Sequence, residues 1–322
     1  MSTIVGSALV RKLPKLRRET VLLIVLLAEI TLFSLSSPYF LNLQNMLDTS
    51  RFFAESGLIA MGMTLVIVTG GIDLSVGSLL ALVSVTVGFS YAAGMPPALA
   101  LAAGVAVGAA GGLLNGILVA GLGLSPLTVT LGTFSLFRGL AYIVSDADAV
   151  SRFPDWFAYL GQYYIGGVVP GQLVVFVIVA IAIWLVLERS RFGRYVFGLG
   201  INPRTARMSG VPVLKTRCAV YVILGVLVAI AAIIYTSRVS TARGNAGLGL
   251  ELQAIAAVVL GGADVKGGSG SIAGIVLSIL ILAFLAQGMT LSGMSSSFAL
   301  FVQGAVLIAA VLVNEVTQAK RS

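Results

Sequence analysis

Apolar segments of about twenty residues recur along the whole chain, and they limit its possible folds more than any other feature. Hydrophobic residues make up 58% of the 322 residues and charged residues only 10%, against about 25% charged residues in a typical soluble domain. A globular domain in water leaves too much surface exposed to hide so many apolar side chains. The sequence therefore excludes a soluble enzyme and predicts an all-α polytopic membrane protein.

The apolar segments predict about ten transmembrane helices, because roughly 17–25 apolar residues cross the hydrocarbon core of a bilayer. The segment 252–262 is too short to cross alone, so it either includes flanking residues or is a half-helix buried in protein. A cleavable signal peptide is an alternative for the first segment, but no small-residue cleavage site follows it. The segments cover about residues 20–37, 52–69, 74–94, 97–122, 125–144, 167–187, 218–236, 252–262, 271–289 and 298–313.

Lysine and arginine residues concentrate in stretches that fall on one side of the membrane if there are ten spans. These stretches are the N-terminus 1–19, the loop 188–217 and the tail 316–322, and Lys266 falls on the same side. Basic residues are enriched in cytoplasmic loops. The sequence thus predicts cytoplasmic N- and C-termini, a transmembrane domain over 20–315 and a cytoplasmic loop over 188–217.

The sequence contains no pattern of residues that is typical of catalysis. Histidine is absent and Cys218 is the only cysteine, which excludes an internal disulfide, a zinc site of the His/Cys type and an imidazole base. There is no phosphate-binding P-loop pattern. We therefore expect no catalytic residue, no metal and no cofactor bound by this chain, and no nucleic-acid partner.

Two glycine-rich stretches resemble each other at an offset of 191 residues. Residues 70–78 read GGIDLSVGS and residues 261–269 read GGADVKGGS. Matching glycine-interrupted segments point to the functional centre of transporters with internal repeats, whereas chance similarity between glycine-rich turns is the alternative. Each aspartate either belongs to a gate or pathway or caps the following helix. The gate or pathway candidates on these stretches are Asp73, Ser75, Ser78, Asp264 and Ser269.

The basic loop contains a short predicted helix with a defined beginning and end. Asn202 is a suitable N-cap, Pro203 is tolerated at the first helical position, and Gly210 can end the helix in a left-handed conformation. A helix of two turns is marginal alone, so it needs a partner surface, either a protein or anionic lipid headgroups. The candidate docking residues are Asn202, Pro203, Arg204, Ala206, Arg207, Met208, Ser209 and Gly210.

Two further sets of residues within the apolar segments predict structural roles. Glycines spaced four apart lie on one face of a helix and let another backbone approach closely; they are Gly104, Gly108, Gly112 and Gly116. Charged residues at membrane depth are costly unless they are paired. We therefore expect Glu29, Glu55 and Arg138 to form buried pairs.

Several of these segments together resemble one family of bacterial membrane proteins. Besides the two glycine-rich stretches, they are SPLTVTLGTFSLFRGLAYIVS at 125–145, FGRYVFGLGINPRTARMSGVPV at 192–213 and the run 251–274 that contains the second stretch. Over about residues 20–315 the chain is similar to the ribose-type permeases of ABC importers. The resemblance implies a subunit of the bacterial inner membrane that imports a monosaccharide or a related molecule by alternating access.

The resemblance also implies partners and residue roles. The family works as a dimer of permeases, identical or related, with a cytoplasmic ABC ATPase, often a fused double cassette, and a periplasmic sugar-binding protein. ATP is then hydrolysed by the partner, and residues 202–210 match the helix that couples the permease to it. Glu251 falls in the family's external segment, but Gln253 stands where a second acid is common.

Three other functions remain open at this stage. One is import of a furanosyl signalling molecule of the autoinducer-2 type by the same kind of permease. Another is a stand-alone secondary carrier, which would need ionisable or cation-coordinating groups at the membrane midplane. The third is a membrane scaffold or receptor, which would not require the two glycine-rich breaks.

Overall fold

The computed structural model describes residues 17–151, 153–295, 297–306 and 308, and most of this part of the chain is helical. The tail 316–322 with Lys320 and Arg321, most of the basic N-terminus and part of the predicted segment 298–313 lie outside the described residues. The predicted all-α architecture is confirmed for the part that is described.

The helices follow the apolar segments of the sequence closely. In chain order they are α1 (Arg18–Ser36), α2 (Leu43–Val68), α3 (Val76–Ala92), α4 (Pro97–Gly116), α5 (Pro126–Ser145), α6 (Asp155–Gln162), α7 (Gly171–Trp184), α8 (Arg191–Ile201), α9 (Pro203–Met208), α10 (Val213–Val239), α11 (Leu250–Gly261), α12 (Ile272–Leu291) and α13 (Ser297–Val306). Helices α4 and α7 each continue through a π-helical turn, at Ile117–Gly121 and Leu185–Arg189.

Seven of these helices are long and apolar enough to cross a membrane: α1, α2, α4, α5, α7, α10 and α12. The other three predicted segments correspond to α3, α11 and α13, which are shorter apolar helices. With 12 residues, α11 is about 18 Å long at 1.5 Å per residue, too short for a hydrocarbon core of about 30 Å. The predicted count of ten spans is therefore not confirmed.

Helix α2 lies at the centre of the bundle, packed against α7, α10, α11 and α12. Every residue from 57 to 68 is buried, as expected for a helix that is apolar on all sides. Helix α10 packs on its other side and also contacts α3 and α4. Helices α2 and α10 therefore form the core of the bundle, and the shorter helices α11 and α3 pack against α2 and α10, respectively.

The outer helices contribute fewer buried side chains. Helix α1 packs along α12, where Leu22, Leu26 and Phe33 meet Phe284. Its other faces expose large apolar side chains such as Leu27. Such surfaces are stable against lipid tails and not in water, which agrees with a membrane environment.

The two ends of the bundle differ in composition. One end, called here the basic end, holds the C-termini of α2 and α11 together with α8 and α9. The opposite, aromatic end holds α6 and four strands of two residues each. The strands are β1 (Ala149–Val150), β2 (Tyr164–Ile165), β3 (Val169–Pro170) and β4 (Ala242–Arg243), with β1 antiparallel to β4 and β2 antiparallel to β3.

Three charged residues were expected to form buried pairs, and one of them, Glu55, forms an ion pair. Glu55 on α2 accepts a 2.7 Å charge-assisted hydrogen bond from Arg238 on α10. The prediction is wrong for Arg138, which instead donates to two backbone carbonyls, and those carbonyls lie on a segment far away in sequence. Glu29 has no hydrogen-bond partner among the described residues.

The internal repeat is not confirmed, because its two copies have different local structures. In the first copy α3 begins three residues after Asp73, so that Gly77 and Ser78 lie in its first turn. In the second copy α12 begins eight residues after Asp264, and Gly268 adopts a left-handed conformation in the loop. The sequence similarity is therefore not matched by equivalent helix beginnings.

Candidate functional site

Helix α9 begins and ends as the sequence predicts. The side-chain oxygen of Asn202 accepts hydrogen bonds from the backbone N–H groups of Arg204 and Thr205, both at 3.0 Å. Pro203 is the first helical residue, and Gly210 follows the helix with a φ of 82°. The short helix is therefore held by its own cap, as N-cap residues do in general.

The docking candidates on α9 are nearly all exposed. Ala206 is the one buried side chain among residues 202–210, and it faces Gly198 on α8. The exposed set includes Arg204, Arg207 and Met208, and Met208 is 91% exposed. An exposed methionine beside two arginines gives this helix both an apolar and a positively charged contact surface, which suits a protein partner with acidic groups.

Two glycine-rich breaks, which follow α2 and α11, meet next to α8 at the basic end. The first break is residues 69–75 and the second is residues 262–271. The backbone N–H of Gly268 in the second break donates to the carbonyl of Val68 at the end of α2, at 2.9 Å. Gly200, in the last turn of α8, lies against both of these groups. The three segments are thus in backbone contact, although they are far apart in sequence.

Asp73 lies in a buried polar cluster in the first break. Its Oδ1 accepts from the Ser75 backbone N–H at 2.8 Å and from the Ser75 hydroxyl at 2.6 Å. The Asn115 amide, at the end of α4, donates to Asp73 Oδ2 at 3.0 Å and to Ser75 Oγ at 2.9 Å.

Further polar side chains lie beside this cluster. The Ser78 hydroxyl donates to the carbonyl of Ser75 at 2.9 Å, so the three candidates Asp73, Ser75 and Ser78 lie together. Sequence reasoning missed Asn115, whose only signal is a polar side chain within a glycine-rich apolar helix. The Tyr221 hydroxyl is buried without a partner among the described residues and lies next to Gly71. It is therefore a further polar group at the first break.

Glu251 lies at a second buried site, where the first turns of α3 and α11 meet. It is 9% exposed, and its Oε1 accepts from the Gly249 backbone N–H at 3.2 Å. A Cβ atom at Gly77 would overlap its Oε2. A carboxylate is stabilised near a helix N-terminus, and here two helices present that end to the same carboxylate.

Arg138 holds the segment that leads to α11. Its Nη1 donates to the carbonyls of Gly244 and Ala246, both at 2.8 Å, and its side chain is 9% exposed. The segment between β4 and α11 is therefore attached to α5 from inside the bundle. Two backbone carbonyl groups, and not a charged side chain, therefore accept the hydrogen bonds of Arg138 Nη1.

Asp264 and Ser269 lie at the other end of α11, away from Glu251. Asp264 Oδ1 accepts from the Lys266 backbone N–H at 2.9 Å, and its charge also acts on Arg18 at the start of α1. Asp264 does not cap α12, since Ser271 is the N-cap and accepts from Gly274. The Ser269 side chain is exposed. The structure thus separates the six gate or pathway candidates into three locations.

The four spaced glycines of α4 lie against two different helices. Gly108, Gly112 and Gly116 face α10, where a Cβ atom at Gly108 would lie 2.5 Å from the carbonyl oxygen of Gly225. Gly104 faces α3 instead, with Val87 at 2.5 Å from the corresponding Cβ position. Any larger side chain at these positions would force the helices apart, so the glycines set the distance between α4 and α10.

Comparison with known proteins identifies the family. The family model described as "Branched-chain amino acid transport system / permease component" matches residues 45–311. The chain belongs to this permease family. No solved structure matches it.

The permease is also similar to individual permeases of autoinducer 2 import. It is 38% identical over 301 residues to the autoinducer 2 import system permease protein LsrD of Yersinia enterocolitica, covering 91% of this chain and 90% of the relative. The LsrD protein of Yersinia pseudotuberculosis strain YPIII is also 38% identical, with the same coverage. That of Klebsiella pneumoniae is 37% identical over 304 residues, covering 92% and 91%.

These matches establish the permease as the membrane subunit of an ABC importer. A subunit of this kind moves a solute and leaves ATP hydrolysis to a partner, and a binding protein supplies the solute. The resemblance to importer permeases expected from the sequence is therefore confirmed. A multi-pass membrane location follows from the family and from the seven long apolar helices.

Proposed function

We propose that this permease imports a small sugar-like molecule and that autoinducer 2, a furanosyl signalling molecule, is its substrate. The observation that carries the proposal is the 38% identity to permeases of autoinducer 2 import over 91% of the chain. The family description alone names a different solute class, branched-chain amino acids. Near full-length similarity to permeases of one import system is more specific than membership of a broad family.

We propose ten spans, with both termini in the cytoplasm. The seven long helices account for seven of the predicted segments, and α3, α11 and α13 would supply the others together with adjoining residues. In this arrangement the basic end faces the cytoplasm, in agreement with the positive-inside rule. The aromatic end, with the exposed side chains of Trp156 and Tyr159, would face the periplasm and the binding protein.

Helix α9 would dock on the ATPase as the coupling helix. The support is its exposed surface, with Arg204, Arg207 and Met208 outward and Ala206 anchored on α8. A second permease subunit, identical or related, would complete the pathway. ATP-driven closure of the ATPase would press on α9 of each subunit and alternate the access of a central path.

The polar groups in the first break and at the start of α11 would form the gate. Asp73, Ser75 and Ser78 are held in one hydrogen-bond network, and Glu251 lies between two helix beginnings. Discontinuous helices of this type allow a pathway to change shape near the middle of a membrane protein. Asp264 would act from the basic end, where it is near Arg18.

The substrate is tested by uptake in a strain that lacks this chain. Restoring the chain should restore uptake of labelled autoinducer 2, and the binding protein that works with the permease should retain that molecule on purification. Labelled ribose serves as the comparison solute. Restored uptake of ribose, with none of autoinducer 2, would refute the proposed substrate and leave the importer assignment intact.

The docking surface is tested by reversing charge on α9. Arg207→Glu should reduce co-purification of the ATPase by about tenfold, a change of roughly 1.4 kcal/mol, while leaving insertion into the membrane unchanged. The matched control is Lys215→Glu, the same charge reversal at another exposed position of the basic end. Equal co-purification of the ATPase by both variants would contradict the role of α9.

A further inference from the structure

We propose that Gly200 transmits the movement of α9 to both glycine-rich breaks and therefore couples ATP hydrolysis to the opening of the pathway. This inference rests on the proposed docking of α9 to the ATPase. Gly200 is a positioning residue in this scheme, because it contacts the backbone of the moving segments and has no side chain to touch the solute.

The first step is the contact that Gly200 makes. A Cβ atom built at this position would overlap the carbonyl oxygen of Val68 and the backbone nitrogen of Gly268, and it would lie 2.9 Å from the Gly268 Cα. These are backbone atoms of the end of α2 and of the second break. A side chain can rotate away from a neighbour, whereas backbone atoms move only with their segment, so α8 cannot shift without displacing both.

The second step is the connection between α8 and α9. Asn202 ends α8 and caps α9, and its own N–H donates to the carbonyl of Gly198 at 3.1 Å. No flexible linker separates the two helices, and the buried Ala206 of α9 faces α8. A force on the exposed side of α9 is therefore transmitted directly to Gly200.

The third step is the contact between the two breaks. A Cβ atom at Gly267 would lie 2.9 Å from the nitrogen and 3.0 Å from the Cα of Gly70. The hydrogen bond from Gly268 to the carbonyl of Val68, at 2.9 Å, closes the same junction. Since the first break continues to the Asp73 cluster and the second to α12, one displacement at Gly200 reaches both the Asp73 cluster and the start of α12.

The test compares two alanine substitutions in the same turn of α8. Gly200→Ala introduces a methyl group into the backbone junction, whereas Gly198→Ala introduces one where the nearest atom, Ala206 Cβ, is 4.0 Å away. Each variant is reconstituted in proteoliposomes with the partner ATPase and binding protein of the import system. The readouts are ATPase co-purification, ATP hydrolysis with and without loaded binding protein, and autoinducer 2 taken up per ATP hydrolysed.

We expect Gly200→Ala to retain the ATPase but to lower solute uptake per ATP by about fivefold or more, the lower range of measured coupling between sites. Gly198→Ala should keep the wild-type ratio. A wild-type ratio in Gly200→Ala overturns the proposal, and so does a loss of uptake and hydrolysis in equal proportion, which indicates a purely structural role.

If Gly200→Ala fails to insert into the membrane, a second variant tests the proposed role of this junction in coupling. The Ile201 side chain is 75% exposed and lies beside Gly268, where its Cγ1 would be 2.9 Å from a Cβ atom built on that glycine. Ile201→Ala shortens the side chain next to the second break without adding an atom, so it should fold and lower the same ratio to a smaller extent. An unchanged ratio in this variant overturns the proposal. If the wild-type complex itself shows no stimulated hydrolysis or uptake, the proposed function fails, and the inference fails with it.

Discussion

The Asp73 cluster allows a quantitative test of what holds the first break in place. Asn115→Leu preserves the approximate size and shape of the side chain but removes the amide that donates to Asp73 Oδ2 at 3.0 Å and to Ser75 Oγ at 2.9 Å. Asp73 is 3% exposed and Asn115 is fully buried. Water therefore cannot replace the lost donor without opening the break.

The magnitude of the effect follows from the two bonds. A hydrogen bond to a charged group contributes about 1.5–3 kcal/mol and a neutral one about 0.5–1.5 kcal/mol. Asn115 Oδ1 is buried without a partner among the described residues, so its removal relieves a cost of about 1–3 kcal/mol and partly offsets the loss. We expect a net decrease of about 2 kcal/mol in the free energy of unfolding.

The assay is a double-mutant cycle on the free energy of unfolding in mixed detergent micelles. In the background of Asp73→Asn, which removes the buried carboxylate, Asn115→Leu should cost at most about 1 kcal/mol, the value of a neutral bond. The expected coupling energy is thus at least about 1 kcal/mol. If Asn115→Leu costs the same in both backgrounds, the two side chains act independently and the reasoning is refuted.

Three further outcomes are expected. Gly112→Leu should lower membrane abundance and uptake, because the larger side chain forces α4 away from α10. The control Gly139→Leu should lower neither, since Gly139 is exposed and has no atom within 4 Å of its Cβ site. Equal abundance of the two variants would contradict this prediction. Glu55→Gln should destabilise the protein by about 3 kcal/mol, because Arg238 loses its charged partner, and the double variant with Arg238→Gln should recover part of that loss in unfolding measurements. Asp264→Ala should reduce uptake more than folded protein, and a proportional decrease in both would show a structural role.

The sequence predicts well those features that depend on neighbouring residues. Asn202, Pro203 and Gly210 define the short helix α9 because capping and proline tolerance act within one turn of a helix. The apolar segments locate the helices for a similar reason, since burial in lipid requires a continuous apolar run. The resemblance of the loop and of the glycine-rich stretches also led to the family.

Features that join distant segments were predicted less well. Arg138 pairs with carbonyls more than a hundred residues away, and no local pattern marks a carbonyl as a partner. Nothing in the sequence near Asn115 indicates its hydrogen bond to Asp73, which lies 42 residues away. The similarity of the two glycine-rich stretches suggested equivalent structures, but the following helices begin at different distances from Asp73 and Asp264.

By itself, the sequence determined that this is a helical membrane protein, because composition and apolar length decide whether a chain is stable in lipid, and its motifs indicated the permease family. Only the tertiary structure decided that the two breaks and the end of α8 meet at Gly200, and that the six polar candidates divide among three places. The physical reason is that backbone contacts between segments depend on how whole helices pack, and glycine permits many such contacts without indicating which one forms.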